Sequence, residues 1–283
     1  MKTYLKKVIL ISTILIGILM LMGFARLLVV QSHSWKLPEK VHILFMGASH
    51  IRHAIDDSRM ESAINWASAS ERYMFTYIKL EHLLEYNQQI DTIYLELAAT
   101  DLWEDTDYKY HTVNEQSHFV VTYWPFFKLD NWKVYKNEKL QVLGLMIANL
   151  FSISELSQSG WWNKMGGYEG KTAIIDTNER MEIENLILGS GHEVNYEYLH
   201  RIIKLCNEKR VKLFFIETPV FQMEQIYDLD YYYKAYKENF SEVELLDFSN
   251  LEIPNEFRAD GSHLNNSGAN FFTELIKDSL NIK

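Results

Sequence analysis

The chain has 283 residues, of which 47% are hydrophobic and 14% aromatic. This composition supports a substantial core and excludes a wholly disordered protein. The formal net charge of -10 repels phosphate backbones, so nucleic acid is not an expected partner. A single cysteine, Cys206, excludes a disulfide within one chain and a cysteine-based metal site.

The first 30 residues have the composition of a membrane helix. Three lysines stand ahead of an uncharged run that begins at Val8 and ends at Phe24, and the run can extend through "ARLLVV". Its length is sufficient to cross a bilayer. A cleaved signal peptide is the alternative, because Gly23 and Ala25 are small residues near a plausible cleavage position. Either interpretation leaves the lysines in the cytoplasm and predicts an extracytoplasmic domain, periplasmic or at the cell surface.

After a polar linker over residues 31–40, apolar strand patterns alternate with amphipathic helices over residues 41–283. The predicted strands are "VHILFMG", "SAINWA", "DTIYLELA", "VKLFFIE" and "VELLDF", and the helices between them include "NYEYLHRIIKLCNEKR". The final helix, "SGANFFTELIKDSL", is predicted to carry Phe271, Leu275 and Ile276 on one face. This alternation predicts a parallel sheet with helices on both faces, and such sheets bind ligands beyond the carboxyl ends of their strands.

Residues from 102 to about 194 break the alternation and contain five of the seven tryptophans. We interpret them as an insertion that caps the site, with a helix near "LQVLGLMIANLF". Its aromatic residues are either a stacking surface for sugar rings or the underside of a lid. Within it, "MGGYEGKT" is rejected as a phosphate-binding loop, since Met165 stands where that motif needs glycine and no strand precedes it.

Two short motifs carry candidate chemistry. Ser49 follows Gly47 at the predicted end of the first strand, where an active site would form. Near the C-terminus, "DGSH" places Asp260 three residues before His263. A serine becomes a nucleophile when a histidine accepts its proton and a carboxylate orients that histidine. Ser49, His263 and Asp260 are therefore the predicted catalytic residues.

"GAS" after the first strand and "DGSH" near the end resemble the first and last blocks of the SGNH (GDSL-like) hydrolase superfamily. The resemblance covers roughly residues 41–101 and 195–283. It implies a flavodoxin-like three-layer α/β/α sheet and acyl transfer by a Ser-His-Asp triad. The anchored arrangement and "HLNNSGANFF" most resemble the branch that contains DltD and the alginate O-acetylation proteins AlgJ and AlgX, which act on envelope or secreted polymers.

The oxyanion-binding blocks of the family match less well. The second block aligns with "INWASAS", so the resemblance places an oxyanion N–H at Ala67 or Ser68, beside that of Ser49. The third block, Gly-x-Asn-Asp in the family, is "AATD" here, which puts Thr100 at the asparagine position and Asp101 beside it. Asn65 is either a substitute donor or a strand-end cap.

Two residues beside the predicted nucleophile are candidate substrate contacts. His50 adjoins Ser49, and Arg52 either meets an anionic substrate or belongs to a solvated helix face. The sequence thus predicts an anchored SGNH-type esterase or O-acyltransferase, with an acetyl ester of a glycan as the expected substrate. A membrane-bound acyltransferase is a candidate partner, and no metal or cofactor is expected. The alternative is a non-catalytic protein that binds a glycan or such an acyltransferase.

Overall fold

The computed structural model describes residues 1–98, 102, 116–150, 156–175, 196–220 and 229–282. Five strands form one sheet, namely β1 (Ile43–Met46), β2 (Ala63–Asn65), β3 (Thr92–Glu96), β4 (Lys212–Glu217) and β5 (Leu245–Asp247). All neighbouring pairs are parallel, in the order β2-β1-β3-β4-β5. This is the order of flavodoxin-like proteins. The predicted α/β fold class is therefore confirmed.

Ten α-helices lie in the described residues, and each strand of the sheet alternates with one or more of them. The helices are α1 (Lys2–Gln31), α2 (Ser49–Ala54), α3 (Tyr73–Tyr86), α4 (Ser117–Tyr123), α5 (Leu129–Val134), α6 (Lys139–Asn149), α7 (Gln158–Met165), α8 (Glu197–Lys209), α9 (Leu229–Asn239) and α10 (Asn266–Leu280). The helix predicted near "LQVLGLMIANLF" corresponds to α6.

The strands bury side chains on both faces, as parallel sheets between helices do. On one face Phe45, Tyr94 and Ile216 join a core cluster with residues of α2 and α10. Neighbouring strand positions such as Phe215 point to the other face, where its ring meets Phe240 at the end of α9. The two helical layers thus follow from the period-2 alternation of each strand.

The chain divides into two compact units. The first comprises Met1–Ser34 and His111–Lys164, and the second comprises Trp35–Tyr110 and Met165–Lys283, which includes the whole sheet. In the first unit, α1 is the one helix among the described residues that is long and apolar enough to cross a membrane. By length and composition it is compatible with a membrane anchor or a signal sequence.

A fully buried ion pair lies in the second unit. Lys79 of α3 forms it with Glu71, and the same ammonium donates to the carbonyl oxygens of Trp66 and Met165. Thr76 Oγ1 also donates to the Glu71 carboxylate at 2.9 Å. Burial lowers the pKa of Lys79, and the adjacent Glu71 carboxylate opposes that shift. The Lys79 side chain therefore connects the loop before α3, which contains Trp66 and Glu71, to the segment that begins at Met165.

The apolar face predicted for the last helix is only partly buried. Phe271 is 41% exposed, whereas the next residue, Phe272, is fully buried with Ile276. Phe272 stacks edge-on against Phe248 beside the sheet. Successive residues of a helix are about 100° apart, so Phe271 and Phe272 point in different directions.

Candidate active site

Polar residues end four of the five strands at the carboxyl edge of the sheet. They are Asn65, Glu96, Glu217 and Asp247, the last residues of β2, β3, β4 and β5. The first three are almost fully buried. Burying an ionisable group is costly unless the group is paired. The buried carboxylates of Glu96 and Glu217 therefore indicate a structural or chemical role. The turn that carries Ser49 follows β1 at the same edge of the sheet.

Glu96 holds that turn in place. Its Oε2 accepts hydrogen bonds from the backbone N–H groups of Ala48 at 2.7 Å and Ile51 at 3.1 Å. The approach requires glycine at position 47, because a Cβ there would lie 2.3 Å from Glu96 Cβ. Gly47 also has a φ of 146°, which side chains rarely adopt. The sequence "MGAS" and the distant Glu96 thus form one unit that presents Ser49 as the first residue of α2.

We expect Gly47→Ala to disrupt this turn and to lower the free energy of unfolding by more than about 2 kcal/mol, because the new Cβ must displace both Glu96 and the backbone. Thermal unfolding of the full chain in detergent measures the effect. Gly144→Ala is the matched control, since no atom lies within 4 Å of its added Cβ on the exposed helix α6. There alanine is expected to be neutral or stabilising. Similar melting temperatures for the two variants would contradict the role given to Gly47.

Asp260 and His263 form a hydrogen-bonded pair within one tight loop. Asp260 Oδ1 accepts from the backbone N–H groups of Ser262 and His263, both at 2.9 Å, and lies 2.8 Å from His263 Nδ1. An antiparallel bridge between Arg258 and Leu264 closes the loop. Four residues of sequence, "DGSH", are therefore sufficient to set the geometry of this carboxylate–imidazole pair.

The charge state of the pair follows from its partners. Burial alone would raise the pKa of the Asp260 carboxyl, but the hydrogen bond and charge of His263, the Ser262 N–H and the Lys171 ammonium together hold it well below its usual range. An ionised carboxylate can only accept, so His263 Nδ1 is the donor. In the neutral imidazole the opposite nitrogen, Nε2, is then a proton acceptor.

His263 Nε2 is buried and makes no hydrogen bond within the part of the chain that the structure describes, so it makes none to Ser49. The ring of His50, the neighbour of Ser49 in the chain, lies edge-on to the His263 ring with 5.7 Å between centroids. The Ser49 turn and the Asp260–His263 loop are thus brought to the same edge of the sheet. Hydrogen bonds between nucleophile and base are often long without a substrate and shorten when it binds.

His50 itself faces the interior. Its Nδ1 lies 3.3 Å from Glu217 Oε1 and 3.9 Å from Glu96 Oε1, and the residue is buried. The His50 ring thereby connects two buried carboxylates, at the ends of β3 and β4, to the turn that carries Ser49. Its predicted contact with substrate stays a prediction.

The predicted oxyanion donors have partners within the protein. The N–H of Ala67 donates to Asn65 Oδ1 at 3.0 Å, and the N–H of Ser68 donates to the Gly47 carbonyl at 3.0 Å. The Asn65 amide donates to the carbonyls of Ile51 and Ile55. Asn65 therefore connects β2 to α2. Each of these N–H groups can bind an oxyanion only if it gives up its present hydrogen bond. Thr100 and Asp101 lie outside the described residues.

Residues 165–175, which we call the strap, pass over this edge. At its start, a Cβ at Gly166 would lie 2.5 Å from the Ala67 carbonyl, so only glycine fits. Further on, the Glu169 N–H donates to the Arg52 carbonyl, and Arg52 Nε lies 3.0 Å from Glu169 Oε2. Lys171 Nζ lies 3.4 Å from Asp260 Oδ2. The strap therefore contacts both α2 and the Asp260 loop.

His53 is a residue of the site that the sequence did not indicate. Its ring lies edge-on to His263 with 5.0 Å between centroids, and its Nδ1 lies 2.6 Å from the Glu169 carbonyl. Burial lowers the pKa of His53, with a smaller contribution from the charge of His263, against the opposing hydrogen bond to Glu169. His53 is one helical turn beyond Ser49, and that spacing was the available signal.

No protein-family model matches the chain, and no curated protein matches it. Among solved structures, one described as "a putative platelet activating factor from Streptococcus pneumonia" aligns with 97% of this chain and 98% of its own chain. The sequence identity is 15% and the TM-score is 0.44. Similarity at this level does not assign an activity to the chain.

Proposed function

We propose that the protein is an SGNH-type acyl-ester enzyme in which Ser49 is the nucleophile, His263 the base and Asp260 the residue that orients His263. The observation that carries the proposal is the Asp260–His263 pair, held at the carboxyl edge of the sheet beside the Ser49 turn. A carboxylate-bound imidazole whose other nitrogen makes no hydrogen bond is the proton acceptor that a serine nucleophile needs.

In the proposed first step, Ser49 Oγ bonds to the ester carbonyl carbon as its proton moves to His263 Nε2. The bond between that carbon and the alcohol oxygen then breaks, and the imidazolium returns the proton to the departing alcohol. The Ser49 N–H, at the first position of α2 where no intrahelical acceptor exists, is the proposed primary oxyanion donor. Water or a sugar hydroxyl then releases the acyl group by the same steps, with His263 again as the base.

The substrate class that we propose is a small acyl ester, acetyl in the first instance, on an envelope or secreted glycan. A glycan hydroxyl as acceptor makes the reaction O-acyl transfer, whereas water makes it hydrolysis. The α1 helix is proposed to keep the enzyme at the membrane with its sheet-bearing unit outside the cytoplasm, where a membrane-bound acyltransferase could supply acyl groups.

A fluorophosphonate probe tests the nucleophile directly, because it forms a covalent bond with an activated serine hydroxyl. We expect the full chain in detergent to be labelled at Ser49, located by mass spectrometry of the peptides, and denatured chain to remain unlabelled. Pre-incubation with a slowly turned-over acetyl ester should reduce the labelling. Labelling spread over many serines, or none at Ser49, would contradict the enzymatic role.

A non-catalytic binding protein is the second candidate. The observations that favour it are the occupied N–H groups of Ala67 and Ser68 and the lack of a hydrogen bond between Ser49 and His263. This candidate predicts that an acetylated oligosaccharide protects the full chain from heat in proportion to its concentration. It also predicts that the ester is recovered unchanged.

A further inference from the structure

The helix α6 turns an apolar face outward in the first unit. Leu140 is 84% exposed, Leu143 50% and Ile147 39%. These residues are three and four positions apart, so they form one stripe along the helix. Val142 and Asn149, on the opposite side, are buried. A helix of a water-soluble domain normally buries its apolar residues, whereas this stripe is exposed.

The end of α6 lies beside the apolar helix α1. Leu150 Cδ2 lies 3.5 Å from the position that a Cβ at Gly23 would occupy. Eight residues further along α1, Gln31 Nε2 donates to the Pro125 carbonyl at 2.9 Å. These contacts fasten the last third of α1 to the rest of its unit. Gly23 belongs to the apolar run, so a bilayer around that run reaches the level of Leu150.

Basic residues precede the exposed stripe. Residues 128–139 contain four lysines against two acids, in a chain whose net charge is -10. All four lysines, Lys128, Lys133, Lys136 and Lys139, are exposed. Positive charge beside an exposed apolar helix favours anionic lipid headgroups over a second copy packed through the same face, which would bring lysines against lysines. Trp132, between two of the lysines, is a residue typical of the membrane–water boundary.

We propose that α6 is an interfacial helix that lies on the bilayer crossed by α1, with Leu140, Leu143 and Ile147 inserted at the boundary between headgroups and acyl chains. The occupant of the exposed face is a lipid bilayer with anionic headgroups. The proposal does not depend on acyl chemistry at Ser49.

A fluorescent probe at position 143 tests the proposal. Leu143→Cys in the full chain is labelled with the environment-sensitive fluorophore NBD and reconstituted into phosphatidylcholine–phosphatidylglycerol vesicles. The native thiol gives little background, because Cys206 is fully buried and burial raises its pKa to about 12. We expect lipids brominated in their upper acyl chains to reduce the emission about twofold or more, and aqueous iodide to have little effect.

Two further variants sharpen the result. Adding Leu140→Glu and Ile147→Glu should abolish quenching by brominated lipid while α1 keeps the protein in the vesicles. A probe at Lys204→Cys on α8, a highly exposed position, gives the reference for free access of iodide. A probe at 143 that iodide quenches as strongly as that reference would overturn the proposal. Protection from both iodide and brominated lipid would overturn it too, since a protein surface would then cover α6.

Discussion

We expect the Ser49→Ala variant to hydrolyse p-nitrophenyl acetate at least about 10³-fold more slowly than the unaltered chain. The variant keeps the backbone N–H at the start of α2 and the Glu96 bonds to the turn, so it removes the proposed nucleophilic hydroxyl and little else. Initial rates of the full chain in detergent measure the loss. Circular dichroism confirms that the variant is folded.

Ser267→Ala is the matched control, because Ser267 is an exposed serine in the first turn of α10. Its rate should equal that of the unaltered chain. Asp260→Asn separates the orienting role from the nucleophile. It removes the charge that His263 Nδ1 contacts and should lower the rate by as much as about 10⁴-fold. Equal rates for Ser49→Ala and the unaltered chain would refute a serine mechanism.

The pH dependence provides an independent check. The pKa of Asp260 lies well below its usual range, so its carboxylate stays ionised as the pH falls towards 5. The acid side of the rate profile down to pH 5 should therefore contain no contribution from Asp260. Direct titration of the Asp260 carboxyl above pH 5 would contradict the direction of its pKa shift.

The largest effect on stability is expected at Lys79. Lys79→Met should lower the free energy of unfolding by about 3–5 kcal/mol, because it leaves Glu71 as a buried charge without its cation. The carbonyls of Trp66 and Met165 also lose their donor. For a chain of this size the melting temperature should fall by roughly 10 °C. Differential scanning calorimetry of the full chain in detergent gives the measurement.

Two controls identify the cause of that loss. Lys204→Met removes one partner of an exposed pair with Glu208, where the expected change is below about 1 kcal/mol. Adding Glu71→Leu to Lys79→Met removes the stranded charge and should recover part of the stability. If Lys79→Met melted at the same temperature as Lys204→Met, the buried pair would not have the role assigned to it.

Most of the fold could be predicted from the sequence because strands and helices are marked by local periodicity. The apolar runs that predicted the strands contain β1 to β5, and the turn after β1 was marked by a glycine. The Asp260–His263 pair was also accessible, since its partners are three residues apart in one loop. Features that depend on residues close together in the chain leave a sequence pattern, so they can be predicted without a structure.

The rest of the site depends on contacts between distant segments. Glu96 is 48 positions from Ala48, and its role requires the pairing of β1 with β3 and the space left by Gly47. The strap binds mainly through backbone groups, which carry no side-chain signature. The outward face of α6 could not be predicted from the sequence either, because a helix with apolar residues on several sides does not show which side is covered.

The strap lies, in the sequence, between the two halves of the site, and this limits when the site can assemble. Its neighbours Arg52 and Asp260 lie about a hundred residues before and after it in the chain. During synthesis, Ser49 is therefore added long before His263, whose imidazole would activate it. Any reactivity towards esters would begin only after residue 263 has been synthesised, so shorter chains would not react with esters.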